Sequence, residues 1–188
     1  MALPQLPTEL WLQILENTTD PAYLWTTLRH ISPMLDSYIE KIFLSTYLPK
    51  VSAFALLPRR DPTTNALRYQ KFAPEITMQY SSVSPDGSRL NLATPKVTRT
   101  GVSIEELNET GVLSQQRMEE AVMWVSIECS RAQAVPIEGT KNMTWNEAEK
   151  VWVWEAEWRD LVTEYFEIKR VKKEEIEKRK KASVWKRG

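Results

Sequence analysis

The chain has 188 residues, 42% of them apolar, with eight tryptophans and only five glycines, a core-forming composition that excludes a disordered or fibrous protein. Twenty-five Lys or Arg balance twenty-five Asp or Glu, and the single cysteine, Cys129, excludes an internal disulfide and suits a reducing compartment. No apolar run reaches the roughly eighteen residues of a membrane span, and no basic region followed by an apolar stretch opens the chain, so the expected location is cytoplasmic or nuclear.

The first predicted helix opens at Leu6-Pro7-Thr8-Glu9-Leu10. Pro7 suits a first helical turn, where its missing N–H costs nothing, and Glu9 favours the positive helix end. Leu6, Leu10, Trp11, Ile14 and Leu15 form its apolar stripe. Asp20-Pro21 reads as an N-cap followed by an N1 proline and starts a second helix through Tyr23, Leu24, Trp25 and Leu28. Ser32-Pro33 repeats the device. The third helix carries Met34, Leu35, Tyr38, Ile39, Ile42, Phe43 and Tyr47 at helical spacing. Three such helices in about forty residues form a unit of marginal stability alone, the kind that keeps an apolar face for a partner.

Beyond Lys50 the period turns alternating. Val51–Leu57 is a run of strand length, Pro58–Pro62 a loop by its prolines, and Leu67–Phe72 a second strand. Residues 75–93 read as a hairpin around Ser84-Pro85-Asp86-Gly87. Ser103-Ile104-Glu105-Glu106 reads as a capping box, with Gly111 at the helix end. Ser114 is expected to open a longer helix striped by Met118, Ala121, Val122, Trp124 and Val125, and residues 130–142 to be mostly loop. Thr144-Trp145 and Val151–Trp154 form a second predicted hairpin. A final helix starts near Trp158, with Leu161, Val162, Tyr165 and Ile168 inward, and its stripe fades after Val171.

The expected fold is therefore α+β: a three-helix module over 3–47, a small antiparallel sheet domain with flanking helices over 51–171, and a long basic helical tail over 172–188, expected to be partly disordered. Residues 169–188 hold ten Lys or Arg against three Glu, a charge of +7, and the rest of the chain holds fifteen against twenty-two, a charge of −7. Lys178-Arg179-Lys180-Lys181 is compatible with a nuclear import signal, although charge runs at chain ends are more often simply solvated.

Catalytic chemistry has little to draw on. His30 is the only histidine and is far in sequence from Cys129, so any nucleophilic constellation would have to use that one residue, for which a satisfied or exposed histidine is the commoner role, and zinc has no credible ligand set. No glycine-rich phosphate loop is present. Glu155, Glu157 and Asp160 cluster beside Trp154 and Trp158, where solvated or helix-end charges are the commoner explanation. Trp145, Trp152 and Trp154 fit either a sheet core, the default, or an exposed interaction site, for which Arg59 and Arg60 are the other candidates. The chain is expected to be a non-enzyme without cofactor or metal.

The N-terminal segment resembles the F-box. Leu6-Pro7-x-Glu9-Leu10-x3-Ile14-Leu15 corresponds to that family's opening, Asp20-Pro21 with Leu24 and Leu28 to its second element, and Ile31-Ser32 with Leu35 to its third. Where the family commonly places basic residues after that serine, Pro33 and Met34 stand here. The resemblance covers residues 3–47, and an F-box joined to a compact C-terminal domain without a standard repeat is similar to small fungal F-box proteins. It implies a substrate-receptor subunit of a Skp–cullin–F-box ubiquitin ligase. The partners implied are a Skp-family adaptor, through it a cullin, and a protein target held by the C-terminal domain, with no membrane. The positions it assigns to adaptor binding or to the module's own packing are Leu6, Pro7, Leu10, Ile14, Leu15, Leu24, Leu28, Ile31 and Leu35. An interaction module outside a ligase and a nucleic-acid binder using the basic helix are the alternatives.

Overall fold

A computed structural model describes residues 6–57, 59–60, 67–68, 75–127, 131–137 and 142–185. The chain divides into two compact units, Met1–Pro49 and Lys50–Gly188.

The first unit is helical: α1 (Thr8–Glu16), α2 (Pro21–Thr26), a 3-10 turn at Leu28–His30, and α3 (Pro33–Ile42), which continues into a wide π turn at Phe43–Tyr47. Both predicted caps form. The Asp20 carboxylate accepts from the Tyr23 amide at 3.1 Å and the Ser32 hydroxyl from the Leu35 amide at 3.2 Å, each satisfying one orphan first-turn donor. Pro7 is the N-cap of α1 rather than its first residue, with ψ 148°, and Thr8 opens the helix. Leu15, Leu24, Trp25, Leu35, Ile39, Ile42 and Phe43 are buried. Trp25 packs on Phe43, ring centroids 4.6 Å apart, and the Arg29 guanidinium lies 3.9 Å from the Trp25 ring centroid. Arg29 also reaches Asp36 at 2.9 Å, an ion pair without hydrogen-bond geometry, so α3 is tied to the preceding turn.

The second unit is α+β. Seven antiparallel strands form one curled, half-barrel sheet in the order β7-β6-β1-β4-β5-β9-β8. They are β1 (Ser52–Leu56), β4 (Glu75–Val83), β5 (Arg89–Ala93), β6 (Val122–Ser126), β7 (Val135–Ile137), β8 (Asn142–Asn146) and β9 (Val151–Glu157); β2 (Arg59–Arg60) and β3 (Leu67–Arg68) make a separate two-stranded ribbon. Registered pairs share a face of a sheet, and here they line one apolar side: Ala53 with Met78 and Val125, Ala55 with Ile76 and Met123, Met123 with Ile137, and Trp154 with Leu92 and Met143. Two alanines on the central strand opposite larger neighbours give the small-against-large filling that close packing demands.

Short helices α4 (Ile104–Glu109) and α5 (Gln115–Glu120) connect β5 to β6, and α6 (Trp158–Trp185) follows β9 without a loop. The buried residues of α6, Trp158, Leu161, Val162, Tyr165 and Phe166, end after three turns, and from Arg170 through Lys180 every side chain is exposed. Trp158 fixes the start of the helix, its indole N–H donating to the Gly87 carbonyl at 2.8 Å. Gly87 turns the β4–β5 hairpin at φ +72°, where a side chain would be strained. In the same turn the Asp86 carboxylate accepts from the Ser84 hydroxyl and from the Ser88 hydroxyl and amide, which lowers its pKa from 3.8 to about 2.

Both predicted hairpins and the final helix are present, but four expectations need correction. The helix expected from Ser114 through Val125 stops at Glu120, and Val122–Ser126 is strand β6, registered against β1. The expected loop at 130–142 contains a 3-10 turn at Arg131–Gln133 and edge strand β7. Arg59 and Arg60, expected in a loop, pair with Leu67 and Arg68. The Ser103 side chain makes no cap hydrogen bond, so the capping box is not formed, although Gly111 does adopt φ +71° after α4. The strand expected over Leu67–Phe72 is described only at Leu67–Arg68, and Cys129 lies outside the described residues.

Trp158→Phe should cost about 1 kcal/mol more stability than Trp152→Phe, because only Trp158 loses a made hydrogen bond, whereas the Trp152 indole N–H has no protein partner. Urea unfolding of the two variants measures the difference. The Asp86 carboxyl should titrate at about 2 by carbon NMR and move toward its ordinary 3.8 in Ser84→Ala. Since its folded pKa is depressed, any stability it contributes is present above the ordinary value and lost as pH falls toward about 2.

Candidate protein-docking face

Apolar side chains left in water within a unit this small cost solubility, so their distribution is informative. Among the described residues nine large apolar side chains are exposed, and five of them, Leu6, Leu10, Ile14, Tyr23 and Ile31, fall in the helical unit. Leu10 and Ile14 are 45% and 50% exposed and stand four residues apart on α1, hence on one face of it. Leu6 immediately precedes the N-cap, and Ile31, 57% exposed, follows the 3-10 turn.

The nine positions singled out by the F-box resemblance therefore separate. Leu6, Pro7, Leu10, Ile14 and Ile31 are exposed, Leu28 is half-buried, and Leu15, Leu24 and Leu35 belong to the unit's interior. The adjacent pair Ile14-Leu15 marks the division: successive helical residues differ in direction by about 100°, and one points out while the other points in. Tyr23, a member of the second predicted helix, is 46% exposed, and Leu24 and Trp25 carry the packing of α2.

The candidates in the second unit fare differently. Trp152 and Trp154 are buried and cannot form an exposed hot spot; they are core, because their strand parity faces the apolar side of the curled sheet. Trp145, opposite Trp152 on edge strand β8, is half-buried, with its ring 5.6 Å from that of Trp152. Its indole N–H donates to Glu147 at 2.6 Å. Lys150 in the following turn, at φ 58°, pairs with the same carboxylate and holds its pKa below the usual range, with the Trp145 bond adding to the effect. Arg59 and Arg60 are described in backbone only.

The carboxylates near Trp154 line a cavity of about 400 Å³ with Arg89, Asn142, Asp160 and Glu164. Arg89 pairs with Glu157 at 3.1 Å and Glu155 at 3.2 Å, which raises its own pKa, and Asn142 donates to Glu155 at 3.0 Å. These are cross-strand ion pairs on the exposed face, engaged with one another rather than poised for proton transfer. Among the described residues no group of His, Cys, Asp and Glu could hold a metal ion, and no helix is long and apolar enough to cross a membrane. No family model, no curated protein and no solved structure matches the chain.

Leu24→Ala and Leu35→Ala should each destabilise the helical unit by about 2–5 kcal/mol, the cost of a cavity at a buried leucine. Leu10→Ala and Ile14→Ala should each stay within about 0.5 kcal/mol. Chemical denaturation followed by far-UV circular dichroism checks the contrast.

Proposed function

We propose that the chain is a non-catalytic substrate-receptor subunit of a Skp–cullin–F-box ubiquitin ligase. The helical unit docks on a Skp-family adaptor, and the sheet unit holds a protein target. The reading is carried by one observation: of the positions that resemble the F-box, one set packs the unit and the other, Leu6, Leu10, Ile14 and Ile31, remains exposed. A helix that presents apolar residues at i and i+4 to water is suited to a groove on a helical partner. In such an assembly the rate gain comes from holding a target near a ubiquitin-charged enzyme, so the receptor needs no acid, base or nucleophile of its own. The absence of a match to known families leaves the motif residues and their exposure as the support.

A use of the same face outside a ligase makes the same contact with the adaptor but recruits no cullin. Nucleic-acid binding through the basic helix is less well supported, because Trp152, Trp154 and Trp158, the aromatics best placed beside that helix in the sequence, are buried and offer no base a stacking surface.

Co-expression with a Skp-family adaptor should yield a stoichiometric complex that recovers cullin, and Leu10→Ala with Ile14→Ala should abolish it while leaving the chain folded. Retained binding by the folded double variant refutes the assignment, and an adaptor complex without cullin reassigns the face to an interaction outside the ligase.

A further inference from the structure

The second unit has a groove of about 440 Å³ between its C-terminal helix and one margin of its sheet. One wall is Ala134 and Val135, at and before terminal strand β7, and the other is Lys169, Lys172, Lys173 and Ile176 on α6. Lys180 and Glu177 complete the helical wall, so four ammonium groups face a single carboxylate. Two of these cations are positioned. Lys169 donates to the Gln133 side-chain oxygen at 2.7 Å, and the Lys172 ammonium lies 5.6 Å from the Trp124 ring centroid. Of the apolar members Ile176 is 53% accessible, on a helix whose packed turns end ten residues earlier, and Ala134 is half-buried, whereas Val135 belongs to the interior.

We infer that this groove is a docking site for an extended acidic peptide segment. The lysines supply the complementary charge, and Ile176 with the half-buried Ala134 supplies an apolar contact that a solvated charge run lacks. Charge complementarity of this kind sets specificity and association rate more than raw affinity. Strand addition is not the mode, because Pro136, central in β7, has no N–H to offer an incoming chain. A single strand of nucleic acid suits the groove less, since its walls hold aliphatic side chains where stacking platforms would be needed. A second copy of this chain suits the groove less, because Glu155 and Glu157, the carboxylates clustered on its sheet, are already paired with Arg89. If the ligase reading holds, the segment belongs to the target, but the groove and its chemistry do not depend on that reading.

The test is fluorescence anisotropy of the full chain at about 150 mM salt, where charges beyond about 8 Å are screened. The probes are a labelled ten-residue peptide alternating Glu or Asp with Leu, its Gln/Asn counterpart, and a labelled single-stranded oligonucleotide. The acidic peptide should bind at least about tenfold tighter than either. Lys172→Glu with Lys173→Glu should weaken it by about tenfold or more, whereas Lys178→Glu with Arg179→Glu, the same charge change on the same helix outside the groove, should weaken it by less than about threefold. Equal losses in the two double variants reduce the groove to diffuse attraction by the tail and overturn the inference. So does tighter binding of the oligonucleotide, equal binding of the neutral peptide, or self-association dispersed by the Lys172/Lys173 variant. No adaptor is present in the assay, so its failure is distinct from failure of adaptor binding.

Discussion

The contact on which the second unit depends is the seat of α6 on the apolar face of the sheet. Strand β9 ends at Glu157 and the helix starts at Trp158, so helix and sheet have no linker in which to move independently. Trp158, Leu161, Val162, Tyr165 and Phe166 are all buried, each removing apolar area worth about 1.5–3 kcal/mol from water, an upper estimate because denatured chains bury some of it already. The indole bond to Gly87 then ties the first turn of the helix to the β4–β5 hairpin, far away in sequence. A curled sheet of seven strands has one concave apolar side to cover, and these three turns cover it. Because the packing ends at Phe166 while the helix continues to Trp185, the same element that completes the core also carries an exposed basic rod.

The helical unit meets a different constraint, that of size. Its interior is built from Leu15, Leu24, Trp25, Leu35, Ile39, Ile42 and Phe43, with Arg29 covering the Trp25 ring and pairing with Asp36. That is as much as three short helices enclose, since a small domain buries a lower fraction of its surface than a large one. Leu10 and Ile14 point away from this interior by the geometry of α1, while Leu15 on the same helix points into it. The exposed leucines are thus not a packing defect that a better sequence arrangement would cure. They are the second face of a helix with two apolar sides, the face that the proposed docking would use.

How much of this could be read beforehand follows from where the determining contacts lie. Caps and turns are local, and Asp20-Pro21, Ser32-Pro33 and Ser84-Pro85-Asp86-Gly87 were legible because the side chain that stops or starts an element is within three residues of the group it satisfies. Strand β6 was not. Met118, Ala121, Val122 and Val125 fit a helical stripe, and only pairing with β1, in which Ser52 meets Ser126, makes Val122–Ser126 extended. The alternation of Val122, Met123, Trp124 and Val125 and their β-branched or aromatic character were the available signals. In β7, three residues with a central proline carry almost no local signature, and the strand exists because an edge position tolerates Pro136. The positions of the F-box resemblance came from the sequence as one set, without the division between exposed and buried members. Interface and interior draw on the same residue types, and the sorting of Ile14 from Leu15 requires the orientation of α1.

The overall neutrality of the chain conceals the most consequential feature of its surface chemistry. A body of −7 and a terminal segment of +7 would attract one another if the segment were free to fold back. A continuous helix anchored at Trp158 carries the described part of this segment, with every side chain from Arg170 through Lys180 exposed. The two exposed surfaces consequently differ in kind. Contacts made through Leu10 and Ile14 depend on apolar area and change little with ionic strength, whereas contacts along Lys169–Lys180 weaken as the screening length falls below the spacing of the lysines from their partner. Salt would therefore separate the two proposed contacts of the intact chain, because each surface answers to a different term in the physics of association.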